Sequence, residues 1–196
     1  MDLKKYGMYP YITISLAGIL CFLAGIIIAG YNDGDWNPWV NTLSDLGVSD
    51  NSLTSSTFNV SCYIAGTCVA IFGLGLSILG KDSLERIGGA SIMLGGFGLF
   101  LVGVMTVSNV RLHNLAAALF CIPLIIGIVL VTLHYFSIRN QFIMKSSIAV
   151  LIVTLVQWPI FSGALSELAG IMCAISWWVA QFIDRIRYAS LMPADE

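Results

Sequence analysis

Charge is what this sequence has least of. Nine Lys and Arg and eleven Asp and Glu are spread over 196 residues, so that 10% of the chain is charged and 58% is apolar. A soluble domain carries about 25% charged and roughly 45–50% apolar residues. A chain this apolar has no aqueous core large enough to hide its side chains, and the solvent it lacks is lipid. The net charge of −2 leaves no polybasic footprint, which excludes nucleic acid as a partner.

Histidine is scarcer still. There are two, His113 and His134, and they end opposite sides of one apolar stretch, roughly 30 Å apart at helical rise. A site built from several histidines is thereby excluded. The five cysteines (Cys21, Cys62, Cys68, Cys121, Cys173) lie in apolar stretches without CxxC spacing and read as small packing residues. Walker, Rossmann, haem and iron–sulfur signatures are missing, so no cofactor and no resident metal are expected.

What is present is a series of apolar runs near the ~20 residues that a membrane crossing needs. They fall near 10–30, 59–80, 87–107, 114–136, 146–161 and 167–183. The expected fold is all-α: one transmembrane domain over 1–196, a bundle of six helices. Lys4 and Lys5 ahead of the first run resemble a signal peptide, but no small-residue cleavage site followed by a soluble domain succeeds it, and a retained helix is expected. Lys4, Lys5, Lys81, Arg86, Arg139, Lys145, Arg185 and Arg187 fall on one side of the six spans and Arg111 alone on the other. That alternation predicts both termini in the cytoplasm of a multi-pass cell-membrane protein. Small residues recur at helical spacing, with Cys62, Gly66, Gly73, Ser77 and Gly80 in the second span and Gly88, Ser91, Gly95 and Gly103 in the third. Such stripes let helix backbones approach closely in lipid.

The polar chemistry gathers on the outer side. The first outer loop, Tyr31 to Thr57, has no Lys or Arg but holds Asp33, Asp35, Asp45 and Asp50. Trp36 and Trp39 flank Pro38, a pattern suited to the lipid interface. Asn41–Leu46 suits a short helical turn ended by Gly47, and Asp33 and Asp50 read as solvated connectors. At the same level lie Asn59, Arg111, His113, Asn114, Gln157, Trp158 and Glu167. Glu167 shares a face with Gly163, Gly170 and Ala174 and is expected to point into the bundle, where a carboxylate is paired or functional. Arg111 is its natural ion partner, with Asp45 as competitor, and a structural tie between helices accounts for the pair as well as an active role does. His113 suits a general base, a proton relay or a ligand, and equally a helix-end residue bonded to a loop. His134, beside Tyr135, reads as an interfacial anchor. Asn59-Val60-Ser61 matches a glycosylation pattern but lies too close to the bilayer to be an acceptor.

The phrase NTLSDLG after the first span, Phe58–Asn59, His113–Asn114 and Glu167 together resemble the prokaryotic six-span membrane family called domain of unknown function 998. That family looks distantly like membrane proteins of GPI-lipid remodelling and autophagy modulation, and more loosely like the alkaline ceramidase and progestin/adipoQ receptor superfamily. The zinc-holding histidines of the last are missing here, so zinc hydrolysis does not carry over. On resemblance, Ser44, Asp45, Asn59, His113 and Glu167 are the matching positions, and no activity is implied.

Two functions stay open. One is an outer-face site that binds or processes a lipid or small amphiphile. Its hydrolytic version makes His113 the base, oriented by Asp45 or Glu167, with Ser44, Asn59, Arg111 and Asn114 as binding residues and Arg111 on an anionic head group or oxyanion. The other is a non-enzymatic structural or accessory subunit of a membrane complex, or a small carrier. Membrane lipids are the expected partners in the first case, and a membrane-protein partner or a second copy in the other.

Overall fold

The computed structural model describes residues 7–157, 160–161 and 163–191. Six α-helices follow one another: α1 (Tyr9–Asn32), α2 (Ser52–Leu79), α3 (Ser83–Val104), α4 (Val110–Ser137), α5 (Gln141–Gln157) and α6 (Gly163–Leu191). Two short 3-10 segments, Leu43–Val48 and Val107–Asn109, interrupt the connections. There is no strand among the described residues. Five helices are long and apolar enough to cross a membrane; α5, at 17 residues, falls short of the other five. Large apolar side chains such as Ile27 (70% exposed), Phe136 and Leu155 cover the outside. Water would not tolerate that exterior; a multi-pass membrane protein presents it to lipid.

Several boundaries differ from the hydropathy reading. α2 begins at Ser52 and α6 at Gly163, so Asn59 and Glu167 lie inside helices instead of opening them. The cause is capping, which hydropathy does not register: the Asn51 side chain accepts from Leu53 N and starts α2 ahead of its apolar part. Likewise Asn109 caps α4, bringing His113 into its first turns. Trp158, expected at the outer polar level, lies outside the described residues, as do Lys4 and Lys5.

Each helix packs on the next in sequence, and α6 returns to α1. The α2–α3 and α3–α4 seams are the most intimate, and glycine is the reason. A Cβ at Gly73 or Gly66 would strike the α3 backbone at Met93 and Phe100, while one at Gly89 or Gly96 would strike the α2 backbone at Ser77 and Ala70. Gly103 completes that row against Cys62 and Tyr63. Gly88 and Gly95, one residue over, face α4 at Val131 and Leu124. The third helix therefore carries two glycine rows, not the single stripe of Gly88, Ser91, Gly95 and Gly103. Seven-residue spacing keeps each row on one neighbour.

Two apolar clusters divide the bundle along its length. One gathers Phe72, Trp177, Trp178, Ile92, Val131 and Tyr135 toward the α2–α3 and α4–α5 turns. The other gathers Phe22, Ile26, Phe58, Val102 and Ala164 with Leu43 and Leu46. The 3-10 segment Leu43–Val48 thus plugs one end of the bundle, with Leu46 fully buried.

Candidate functional site

The plug is built from loop residues whose short side chains bond to nearby backbone. Asp33 accepts from the amides of Asp35 and Trp36, and the Ser49 hydroxyl adds the largest contribution holding its carboxyl below the usual range. The Trp36 indole donates to Thr42 O at 2.9 Å, which turns this ring inward. Trp39 stays 70% exposed, so only the second tryptophan has the exposure an interfacial residue needs. Thr42 and Asp45 form a capping box over the 3-10 segment, with Asp45 Oδ2 accepting from Thr42 N at 2.7 Å.

The plug is then fastened to the helices. Glu167 Oε2 on α6 accepts from Leu43 N at 2.6 Å, across 124 residues of sequence. One turn earlier, Ala164 N donates to Asn41 O at 2.7 Å. Gly163, at φ 54°, makes that approach possible, because a Cβ there would lie 2.6 Å from the same oxygen. From α2, Asn59 Nδ2 donates to Gly47 O at 3.0 Å. Its Oδ1 is buried without a hydrogen-bond partner among the described residues, facing the place a Gly47 side chain would occupy. His113 is buried, with Nδ1 2.7 Å from Met105 O. A carbonyl accepts only, so Nδ1 carries a proton and the neutral ring's lone pair is on Nε2.

The structure therefore brings Ser44, Asp45, Asn59, His113 and Glu167 to one end of the bundle. The expected pairing is corrected. Glu167 is held by the Leu43 amide, and Arg111 makes no ion pair among the described residues. Helical geometry separates the two: Arg111 and His113, two residues apart, lie about 200° apart around α4. His113 faces inward, while Arg111 and Asn114 are exposed on the outer face. There they line an open hollow of about 750 Å³ with Asn109, Leu112, Leu115 and Ala118. The group that orients His113 is the Met105 carbonyl, not Asp45 or Glu167. Gln157, buried at the end of α5, has Oε1 without a partner among the described residues, and its Nε2 sits over Gly170.

A second polar cluster at the opposite end was missed by sequence reasoning. His134 is 2% exposed and donates from Nδ1 to Asp82 Oδ2 at 2.8 Å, while its Nε2 stands 3.7 Å from Glu85 Oε2. Glu85, 1% exposed, also accepts from Lys81 N at 2.8 Å. Asp82 is the N-cap of α3, and its carboxyl is held below the usual range first by the Glu85 amide and then by the His134 ring. His134 is thus a buried tie between α3 and α4, and not an interfacial anchor. The signal available was the Asp82-x-x-Glu85 capping pattern itself. No group of three or more metal-ligating side chains occurs among the described residues. In the Asp82–His134–Glu85 cluster the carboxylates face different ring nitrogens and do not converge on one point.

A family model described as "Protein of unknown function (DUF998)" matches residues 16–184. No curated protein and no solved structure matches the chain.

Proposed function

The chain belongs to the DUF998 family, and from the geometry of its plug end we propose that it is a six-span membrane protein that binds an amphiphile of the outer leaflet without processing it. The plug end is assigned to the outer face and both termini to the cytoplasm. The eight-to-one division of Lys and Arg supports this, since Lys81, Arg86, Arg139 and Lys145 all flank the turns opposite the plug. Helix α5 rises about 25 Å, which a bilayer accommodates by local thinning.

The observation that carries the reading is the hollow on α4. Asn109 and Arg111 lie above Leu112, Leu115 and Ala118, with Asn114 between Leu112 and Leu115, so a polar rim grades into an apolar floor at the membrane surface. That order matches an amphiphile standing in the outer leaflet. Of the other polar groups at this end, Asn59 Oδ1 and Gln157 Oε1 are buried without a partner among the described residues. Asp45, Asn59, His113 and Glu167 each spend a hydrogen bond on backbone, which fits fastening better than turnover.

The test is lipid-resolved native mass spectrometry of the purified protein. Leu115→Trp and Ala118→Trp, which fill the hollow, should abolish retention of a co-purifying lipid. Glu167→Ala should keep the lipid while loosening the plug. Retention indifferent to both Trp variants would overturn the reading. So would loss of lipid in a folded Glu167→Ala protein, which would return binding to the plug.

A second reading rests on the packing of the plug itself. Leu43, Leu46 and Ala164 are buried there and fill it with apolar side chains, as suits a non-enzymatic structural or accessory subunit. Under that reading the Trp variants change nothing, and a partner protein or a second copy co-purifies instead.

A further inference from the structure

We propose that the amphiphile taken by the α4 hollow is a phospholipid of single net negative charge, with Arg111 as the residue that selects it. This rests on the amphiphile reading above and adds the charge of the head group. Among the described residues Arg111 is the one cation of the plug end, it is exposed, and it has no ion pair. The two carboxylates expected to pair with it are turned elsewhere, Glu167 onto Leu43 N and Asp45 onto Thr42 N. Nor does α4 itself gain from it, since a cation in a helix's first turn opposes the macrodipole. A guanidinium placed against both the helix field and the membrane surface is complementary to an anion, and its planar fork suits phosphate oxygens.

The depth of the hollow identifies the rest of the molecule. From Arg111 to Ala118 the floor descends about 10 Å along α4. Leu112 and polar Asn114 come first, then Leu115 and Ala118. A head-group phosphate at Arg111 therefore puts the glycerol ester region beside Asn114 and the first acyl carbons on Leu115. Free phosphate would use the rim and leave that floor empty, so the lipid is the source that fits.

The acidic loop limits the charge. The plug packs on the Val107–Asn109 segment that leads into Arg111, and the loop carries Asp33, Asp35, Asp45 and Asp50 with no cation. A head group with several negative charges meets repulsion there, whereas one negative charge is matched by one arginine.

The experiment is native mass spectrometry of the full chain released from nanodiscs of equimolar phosphatidylglycerol and phosphatidylcholine. The parent should retain phosphatidylglycerol over phosphatidylcholine by about fivefold, the worth of one basic residue near an anionic surface. Arg111→Lys should keep most of that preference and Arg111→Gln should bring it to parity, with both proteins folded. A parent that binds the two lipids equally, with binding lost in Leu115→Trp, would overturn the anionic assignment and leave the amphiphile reading standing. Retention of neither lipid would overturn both. Preference that survives in Arg111→Gln would also overturn the assignment.

Discussion

Two glycine-to-alanine substitutions should move stability in opposite directions. Both put the same methyl group on a helix, and in each case alanine gains up to about 1 kcal/mol of helix propensity over glycine. At Gly96 the new Cβ would lie 2.7 Å from Gly66 O and closer still to Ala70 N. Both are backbone atoms and cannot rotate away. Reaching an ordinary contact of about 3.4 Å from Ala70 N requires α2 and α3 to part by about 1 Å. A gap of that size forfeits about half of the dispersion attraction of atoms facing it. Because Gly66, Gly73, Gly89 and Gly103 lie in the same seam, the loss extends along it. Overpacking of this kind costs about 1–3 kcal/mol, enough to outweigh the propensity gain. At Gly170 the only neighbour among the described residues is Gln157 Nε2 at 3.3 Å, the far end of a flexible side chain. Gly170→Ala should therefore keep most of its gain. Thermal unfolding in one detergent should show Gly96→Ala melting below the parent and Gly170→Ala at or above it. At this size 1 kcal/mol corresponds to about 2–4 °C. If Gly96→Ala matches Gly170→Ala, the glycine interlock is not what holds α2 against α3.

Further expectations follow from single bonds. Asp82 has a depressed carboxyl, so its contribution is present above its ordinary value of 3.8 and is lost as pH falls below it. Acidification should lower the parent's melting temperature there, and Asp82→Asn should flatten that limb of the profile. Trp36→Phe removes the indole donor to Thr42 O and should cost about 1 kcal/mol, with faster hydrogen exchange in residues 42–48; exchange as slow as in the parent would deny the bond its role. Maleimide in mild detergent should leave Cys62 unlabelled until unfolding, and prompt labelling of Cys62 would contradict the α2–α3 packing.

The helices were legible because apolar run length is written directly in the side chains. Their ends were less so, since Asn51 and Asn109 start helices by capping several residues ahead of the apolar part. The glycine rows were half legible: Gly88 and Gly95 do share a face, but seven-residue spacing alone does not say which neighbour a row meets, and Gly103 belongs with Gly89 and Gly96. At the plug, the sequence pointed to the correct end of the bundle for Asp45, Asn59, His113 and Glu167. Their partners were hidden because every one is a backbone atom, which no letter of the sequence identifies. Arg111 was the only side-chain cation in view and so drew the assignment to Glu167. The Asp82–His134–Glu85 tie escaped because its acids look like ordinary turn charges until α3 and α4 are set side by side.

The fastening of Leu43 to Glu167 and of Asn41 to Ala164 has a consequence for biogenesis. Synthesis proceeds from the N-terminus, so the plug loop emerges with the first two helices, while its acceptor and donor on α6 come last. For most of translation the amide of Leu43 and the carbonyl of Asn41 must make do with water or lipid head groups. The loop reaches its final place only when the sixth helix arrives, and a chain truncated before Glu167 leaves it unlatched. Protection of the plug from exchange or protease then reports that α6 has docked against it.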